Sequence, residues 1–231
     1  MFSGIVEEIG ILQEVRLEGE PKRLVFVCRD VLEGVRVGDS IAVNGVCLTV
    51  ESFDEGSFTS GVMPETLRRT DLGRLGPGAG VTLERSVPAG GRVGGHFVQG
   101  HVDGTGELLE MQPDGAAVIV KIGVPPRLAR YIVVKGYIAV DGTSLTVVEA
   151  RADYFTVSLV YHTQEHITLP RKSTGDLVNI EIDVLAKYAE RFAEGGEALP
   201  ADTRELASRV GMTPERLPGG KGDDDATCDS R

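Results

Sequence analysis

SIAVNGVCLTV (Ser40–Val50) returns 97 residues later as YIAVDGTSLTV (Tyr137–Val147). The register then runs on without a gap. Phe58-Thr59 falls on Phe155-Thr156, Thr66 on Thr163, Leu72 on Leu169, Gly78 on Gly175 and Glu84 on Glu181. From Ile41 and Ile138 onward, roughly 15 of about 44 positions are identical, where chance gives about three, so one unit is written twice. The beginning repeats with a one-residue slip, Gly4, Val6 and Gly10 matching Gly100, Val102 and Gly106. The first copy takes residues 1–93 and the second 94–188, with 189–231 left over as a helix and tail. The join, Gly90-Gly91-Arg92-Val93-Gly94-Gly95, has the glycine content of a boundary.

Each copy reads as all-β. Leu24–Cys28, Ser40–Val43, Cys47–Phe53, Ser57–Met63 and Val81–Arg85 are short β-rich runs, several alternating apolar with polar residues. Their counterparts are Ala116–Ile122, Ile138–Val140, Ser144–Ala150, Tyr154–Val160 and Val178–Asp183. Asn44-Gly45 and Asp141-Gly142 sit between two runs in both copies. Such pairs make two-residue hairpins, because both central residues need positive φ. Turn signals about every ten residues predict a small barrel or sandwich per copy. Beyond Asp183 the period changes: Leu185, Tyr188, Ala189 and Phe192 form one stripe of a helix over Val184–Gly196. That stripe points to packing on another subunit, with packing on its own barrel as the other reading. A second short helix is expected over Thr203–Val210, and the acidic end, with Cys228, as disordered and inert.

Composition narrows the partners. The 231 residues carry a net charge of −11, aromatic residues are 5% and Trp is absent. This disfavours a nucleic-acid backbone, a base-stacking platform or an anionic membrane surface as partner. Cys28, Cys47 and Cys228 have neither CxxC spacing nor an even count, which argues against disulfides and cysteine zinc sites. The N-terminus MFSGIVEEIG lacks a basic n-region, and no apolar run approaches the roughly 20 residues that span a bilayer. The expected compartment is the cytoplasm, with no metal.

Duplicated halves agree where the unit folds and are free to differ where chemistry is asymmetric. The divergent polar pairs are Cys47/Ser144, Asn44/Asp141, Glu65/His162 and Ile5/His101. Surface drift produces such pairs as well. Two similar pockets fit a ligand bound twice, one molecule as donor and one as acceptor, their proximity supplying effective molarity.

MFSGIVEEIG, NGVCLTV (Asn44–Val50), MPETLRRTDLG (Met63–Gly73), GGHFVQGHVDG (Gly94–Gly104), YIVVKGYIAVDGTSLTV (Tyr131–Val147) and GDLVNIEID (Gly175–Asp183) together resemble the riboflavin synthase family of the α-subunit type, over about residues 1–192. The resemblance implies two tandem six-stranded Greek-key β-barrels and a C-terminal α-helix that drives a homotrimer. It implies a transferase with no cofactor. Two molecules of 6,7-dimethyl-8-ribityllumazine exchange a four-carbon unit, giving riboflavin and 5-amino-6-ribitylaminouracil. The site would lie between subunits, and lumazine synthase is an implied partner. A non-catalytic lumazine- or flavin-binding protein of the same fold is the alternative. A nucleic-acid-binding double barrel is the third, disfavoured by charge.

On that resemblance His101 is the general base, an imidazole suited to moving protons near neutrality. On residue type alone it reads as a structural or surface residue. Cys47 would add to the donor ring or orient it; the other reading is a small buried apolar residue. Ser144 would bond the second ring or activate water, with Asp141 orienting it, although Asp141 also serves as a turn residue. Phe2 would stack on the pterin or anchor the terminus. Backbone groups of Gly4, Ile5 and Val6, and of Gly100, His101 and Val102, would pin the ring's polar edge. Ser40 and Lys135 match family positions near the site, or only cap a strand end, and Ser3 is counted with the substrate-binding residues. Thr49, Glu65, Thr66, Thr146, His162 and Thr163 would bind the ring and ribityl chain. Leu48, Gly61, Val62, Met63 and Pro64, with Leu145, Leu159, Val160, Tyr161 and Gln164, would line the two pockets. Tyr161 and Gln164 depart from the family's usual Pro and Leu. His96 and His166 read as structural or exposed.

Overall fold

The computed structural model describes residues 1–16 and 21–193. Residues Met1–Lys187 form one compact unit that contains both repeats, and a second begins at Tyr188. The first repeat supplies β1 (Glu8–Arg16), β2 (Lys22–Val27), β3 (Ser40–Val43), β4 (Val46–Phe53), β5 (Ser57–Val62) and β6 (Gly80–Arg85). They close into an antiparallel barrel in the order β1-β2-β5-β4-β3-β6. The second supplies β7 (Gly104–Asp114), β8 (Ala117–Gly123), β9 (Tyr137–Val140), β10 (Thr143–Ala150), β11 (Tyr154–Leu159) and β12 (Leu177–Ile182). They close in the same cyclic order, β7-β8-β11-β10-β9-β12. The architecture is the pair of six-stranded barrels that the sequence implies.

Closure needs strong local curvature, and the bulges that provide it are duplicated too. The register shifts at Leu12/Glu14 and Val50/Ser52 in the first barrel, and at Leu108/Glu110 and Val147/Glu149 in the second. A bulge adds twist where a flat sheet would fail to close. Alternation then decides what faces in. Val46, Leu48 and Val50 of β4 point into the first barrel, and Leu145 and Val147 of β10 into the second. Phe26 and Phe58, both fully buried, pack 5.1 Å apart at the first core. Each such ring contributes about 1.5–3 kcal/mol through burial. Cys47 and Thr49, like Ser144 and Thr146, fall on the opposite, outer face by the same period of two.

Asn44 and Asp141 both have φ of 44°, followed by Gly45 and Gly142 at φ 77° and 79°, as the two-residue hairpins require. The two turns also meet: a Cβ on Gly45 would lie 2.6 Å from the Gly142 nitrogen, and one on Gly142 2.7 Å from that of Gly45. Two short helices, α1 (Pro64–Arg69) and α3 (Tyr161–His166), follow β5 and β11. Another, α2 (Pro126–Ala129), follows β8. α4 (Val184–Ala193) is the expected terminal helix, with Leu185, Tyr188 and Phe192 exposed. The expected helix over Thr203–Val210, the acidic tail and Cys228 lie outside the described residues.

Candidate functional site

The segment that leads into each barrel is built into the other one as well. Gly4 and its neighbours precede β1, yet the Gly4 carbonyl accepts the Ser144 N–H of β10 at 2.8 Å. Symmetrically, the Gly100 carbonyl accepts the Cys47 N–H of β4 at 2.9 Å. Phe2 and Val98 close the crossing with a mutual pair of backbone hydrogen bonds, at 2.7 and 3.1 Å.

One carboxylate clamps each segment. Glu84 of β6 accepts the Ser3 N–H at 2.7 Å and the Gly4 N–H at 3.0 Å. Glu181 of β12 accepts the N–H groups of Gln99, Gly100 and His101 at 2.7, 2.9 and 2.9 Å. Burial pushes both carboxyls above their ordinary range, against the opposing pull of these N–H donors. Sequence reasoning missed this role, although the signal was present: Glu84 and Glu181 are acids at matched positions of the two repeats, each buried in the last strand of its barrel.

In the first barrel the crossing brings expected residues together. A cleft of about 200 Å³ is lined by Cys47, Glu65, Thr66, Gly100, His101 and Val102, with Val46, Arg69 and Thr70. His101 is exposed within it and Cys47 half-buried. Glu65 and Thr66 arrive on α1, where Pro64 fits the first turn because its missing N–H is not needed there. Arg69 and Arg68 hydrogen-bond Glu65 and hold its carboxyl below the usual range. Thr49 lies exposed on the outer face of β4, with Leu48 and Val62 buried beneath and Gly61 half-buried. Met63 is exposed at the start of α1. The other thiol among the described residues, Cys28, is pushed up to about 12, chiefly by burial, and is chemically quiet.

The second barrel places Ser144 where the first has Cys47, and α3 places His162 and Thr163 where α1 has Glu65 and Thr66. Thr146 is exposed beside Ser144 on the face above buried Leu145, and Leu159 is buried at the end of β11. Val160 and Tyr161 are exposed; Gln164 donates to the carbonyls of Leu159 and Ala116 at 2.8 and 3.1 Å. Lys135 takes φ 65° where the first repeat has Gly38, an unusual conformation for a side chain of this length. Ser40 lies apart from Cys47, in a separate cleft of about 690 Å³ with Ser3, Ile5, Glu84, Arg85 and Arg92.

Three expectations change. Phe2 has no exposed surface: it packs on Ala42, Val98 and Ala139 between the barrels, so it is the anchored terminus and has no face free to stack on a ring. The N–H and carbonyl groups of Gly4 and Gly100 are already bonded internally. Among the described residues that leaves, within these segments, the carbonyls of Ile5 and His101 and the backbone of Val6 and Val102 to meet a ring edge. Asp141, finally, is 1% exposed, and its carboxylate is held by partners of its own repeat at the seam between the barrels. One oxygen accepts the Asn179 N–H at 2.7 Å and the other meets Lys172 Nζ at 2.8 Å. The Ser144 hydroxyl is met instead by His96 Nδ1 at 2.7 Å.

Asp141 belongs to a polar network between the barrels. Asn44 Nδ2 donates to Asp71 at 2.8 Å, and Asn179 Nδ2 donates to Asp71 and to the Asn44 carbonyl, at 2.7 and 2.8 Å. Burial, then the charge of Asp141, pushes the Asp71 carboxyl up to about 6, while Lys172 opposes. Lys172 stays above its usual range: burial works against its charge, but Asp141 and Asp71 outweigh it. The divergence of Asn44 from Asp141 therefore serves this seam, where Lys172 stands at the position of Leu75. Among the described residues no cluster of three or more His, Cys, Asp or Glu is placed to hold a metal, and no helix is long and apolar enough to cross a membrane.

The lumazine-binding-domain family model matches residues 3–86 and again 99–183. The chain is 49% identical over 196 residues to riboflavin synthase of Mycobacterium tuberculosis, covering 83% of this chain and 98% of that one. It is 47% identical over 192 residues to riboflavin synthase of Actinobacillus pleuropneumoniae, covering 83% and 89%. Among solved structures, LumP complexed with riboflavin superposes with a TM-score of 0.73 at 24% identity, over 79% of this chain and 99% of that one. LumP complexed with 6,7-dimethyl-8-(1'-D-ribityl) lumazine gives 0.71 at 24% identity, over 78% and 98%. At that identity the likeness speaks to the fold alone.

Proposed function

This chain belongs to the lumazine-binding-domain family, and from that membership we propose that it is a riboflavin synthase. Two molecules of 6,7-dimethyl-8-ribityllumazine enter, one gives a four-carbon unit to the other, and riboflavin and 5-amino-6-ribitylaminouracil leave. In class it is a transferase. The observation that carries the reading is the pair of equivalent outer-face positions, each bonded to the other repeat's leading segment, with unlike reactive groups: a thiol beside His101 in one and the Ser144 hydroxyl in the other. One ligand bound twice needs two like sites, and a reaction between the two copies needs them unlike.

In this reading His101 takes and returns the methyl proton, Cys47 contacts or adds to the first ring, and Ser144 contacts the second. The barrels are lumazine-binding domains over 1–93 and 94–188. Thr49, Glu65 and Thr66, and Thr146, His162 and Thr163, offer the neutral ribityl chain its hydrogen-bonding partners. Tyr161, exposed at the start of α3, narrows the second pocket or adds a stacking surface to it. The exposed stripe Leu185, Tyr188 and Phe192 supports assembly as a homotrimer, which would set the first barrel of one subunit against the second barrel of its neighbour. A cytoplasmic location and association with lumazine synthase follow from the same reading.

Incubation with 6,7-dimethyl-8-ribityllumazine tests it. The expected result is riboflavin and the pyrimidine in equal amounts, with two lumazines consumed for each. Ligand bound and recovered unchanged supports the non-catalytic binding protein instead.

A further inference from the structure

We infer that His96 is a positioning residue that fixes the Ser144 hydroxyl in the second pocket, giving that pocket a serine–imidazole pair. The inference deepens the riboflavin synthase reading and rests on it. The imidazole Nδ1 lies 2.7 Å from Ser144 Oγ. The ring is 7% exposed and stacks on Tyr137 at 5.2 Å and 9°, so its plane is fixed. Its backbone is fixed as well, since the His96 N–H donates to the Ser3 carbonyl at 3.2 Å.

The backbone is built around the contact from both sides. A Cβ on Gly95 would lie 2.5 Å from Ser144 Cβ and 2.6 Å from its Oγ; one on Gly4 would lie 2.6 Å from Ser144 Cβ. Gly95, part of the glycine-rich join in the sequence, is what lets the histidine reach the serine.

Burial holds the His96 imidazole below its usual range, against the pull of Asp183. The titratable groups around it are Tyr137 on its face, Asp183, and Glu84, which fixes Ser3. A neutral ring can accept the Ser144 proton at Nδ1, which leaves the serine lone pairs to take a hydrogen bond from a ligand N–H or O–H. A protonated ring reverses the bond and turns the serine into a donor. The other nitrogen, Nε2, is buried without a partner among the described residues. An unmet buried polar atom is costly, and a histidine kept only for packing has no reason to carry it. The equivalent Cys47 thiol accepts no such bond among the described residues, so the pair belongs to one pocket.

The test is a double-mutant cycle on the full chain: His96→Ala, Ser144→Ala, both together, and His96→Asn, with kcat and KM followed across pH 5 to 8. His96→Ala should lower kcat roughly tenfold with KM changed less than about twofold, and should add little once Ser144 is alanine. His96→Asn, whose amide can occupy the place of Nδ1 without titrating, should recover most of kcat and flatten the acid limb. Equal losses in both serine backgrounds, no loss at all, or an asparagine variant as poor as alanine would each overturn the inference. A second readout is independent of turnover: the His96 ring-nitrogen resonance should shift on Ser144→Ala. An unchanged resonance also overturns the pair. A wild-type chain that makes no riboflavin overturns the functional reading and leaves this spectroscopic result to stand or fall separately.

Discussion

The two barrels share strand order, bulge positions and hairpin geometry, yet they differ in two places that carry different meanings. Across the seam, Asn44 and Asp71 of the first barrel face Asp141, Lys172 and Asn179 of the second. A seam between two unlike surfaces can use a buried cation held by two carboxylates, and a strictly repeated sequence would have put like groups opposite each other. On the outer faces, Cys47 with His101 contrasts with Ser144 and its His96 partner. There the difference meets solvent and, on the proposed reading, the two bound lumazines. A departure between repeats marks chemistry only when its side chain reaches such a face; otherwise it marks the joint.

The largest effect expected of breaking this contrast is at the first pocket. His101→Ala should lower kcat on the order of a hundredfold, as removal of a general base does, while lumazine affinity changes little. Steady-state rates beside fluorescence titration separate the two, and equal losses would reduce His101 to a binding group.

The crossed segments make a sharper prediction. Glu84 clamps residues 3 and 4, which lean on Ser144, so Glu84→Gln should disturb the second barrel's site although Glu84 belongs to the first. Glu181→Gln should disturb the Cys47 site by the same route. Each loses charge-assisted hydrogen bonds and should cost about 1.5–3 kcal/mol in urea unfolding. Two variants that each weaken the pocket of their own barrel would show that the crossing is not what carries the effect.

The smallest effect is at the seam. The Asp71 carboxyl stands at about 6 in the folded chain against an ordinary 3.8. The folded state therefore binds that proton more tightly than the unfolded state. Its contribution to stability is full below about pH 4 and is lost as the pH rises through 6. The Tm of the wild type minus that of Asp71→Asn should fall between pH 4 and 7. A difference that stays flat would mean that Asp71 is ionised throughout.

Most of the fold was legible because strand alternation and hairpin chemistry are local. Asn44-Gly45 and Asp141-Gly142 announce their turns, and the runs around them fall within a residue or two of the observed strands. β1 and β7 escaped because their polar spacing is irregular: EIGILQEVR buries only Gly10 and Leu12, and β7 carries Pro113 near its end. The six-residue helices α1 and α3 are too short to show a helical period. For the site, residue types and resemblance led to Cys47, His101 and Ser144, all on outer faces or in the crossing segments. The sequence could not show that residues 2–4 and 98–100 exchange barrels, since that pairing joins positions far apart in the chain. For the same reason Asp141 read as a partner of Ser144, three positions away, and His96, forty-eight away, did not.

Titration calorimetry with an unreactive ribityllumazine analogue tests the central claim most directly. Two sites in one chain, each leaning on the other repeat, predict two analogues bound per chain, one class weakened by Glu181→Gln and the other by Glu84→Gln. A single analogue per chain in the wild type would contradict the account.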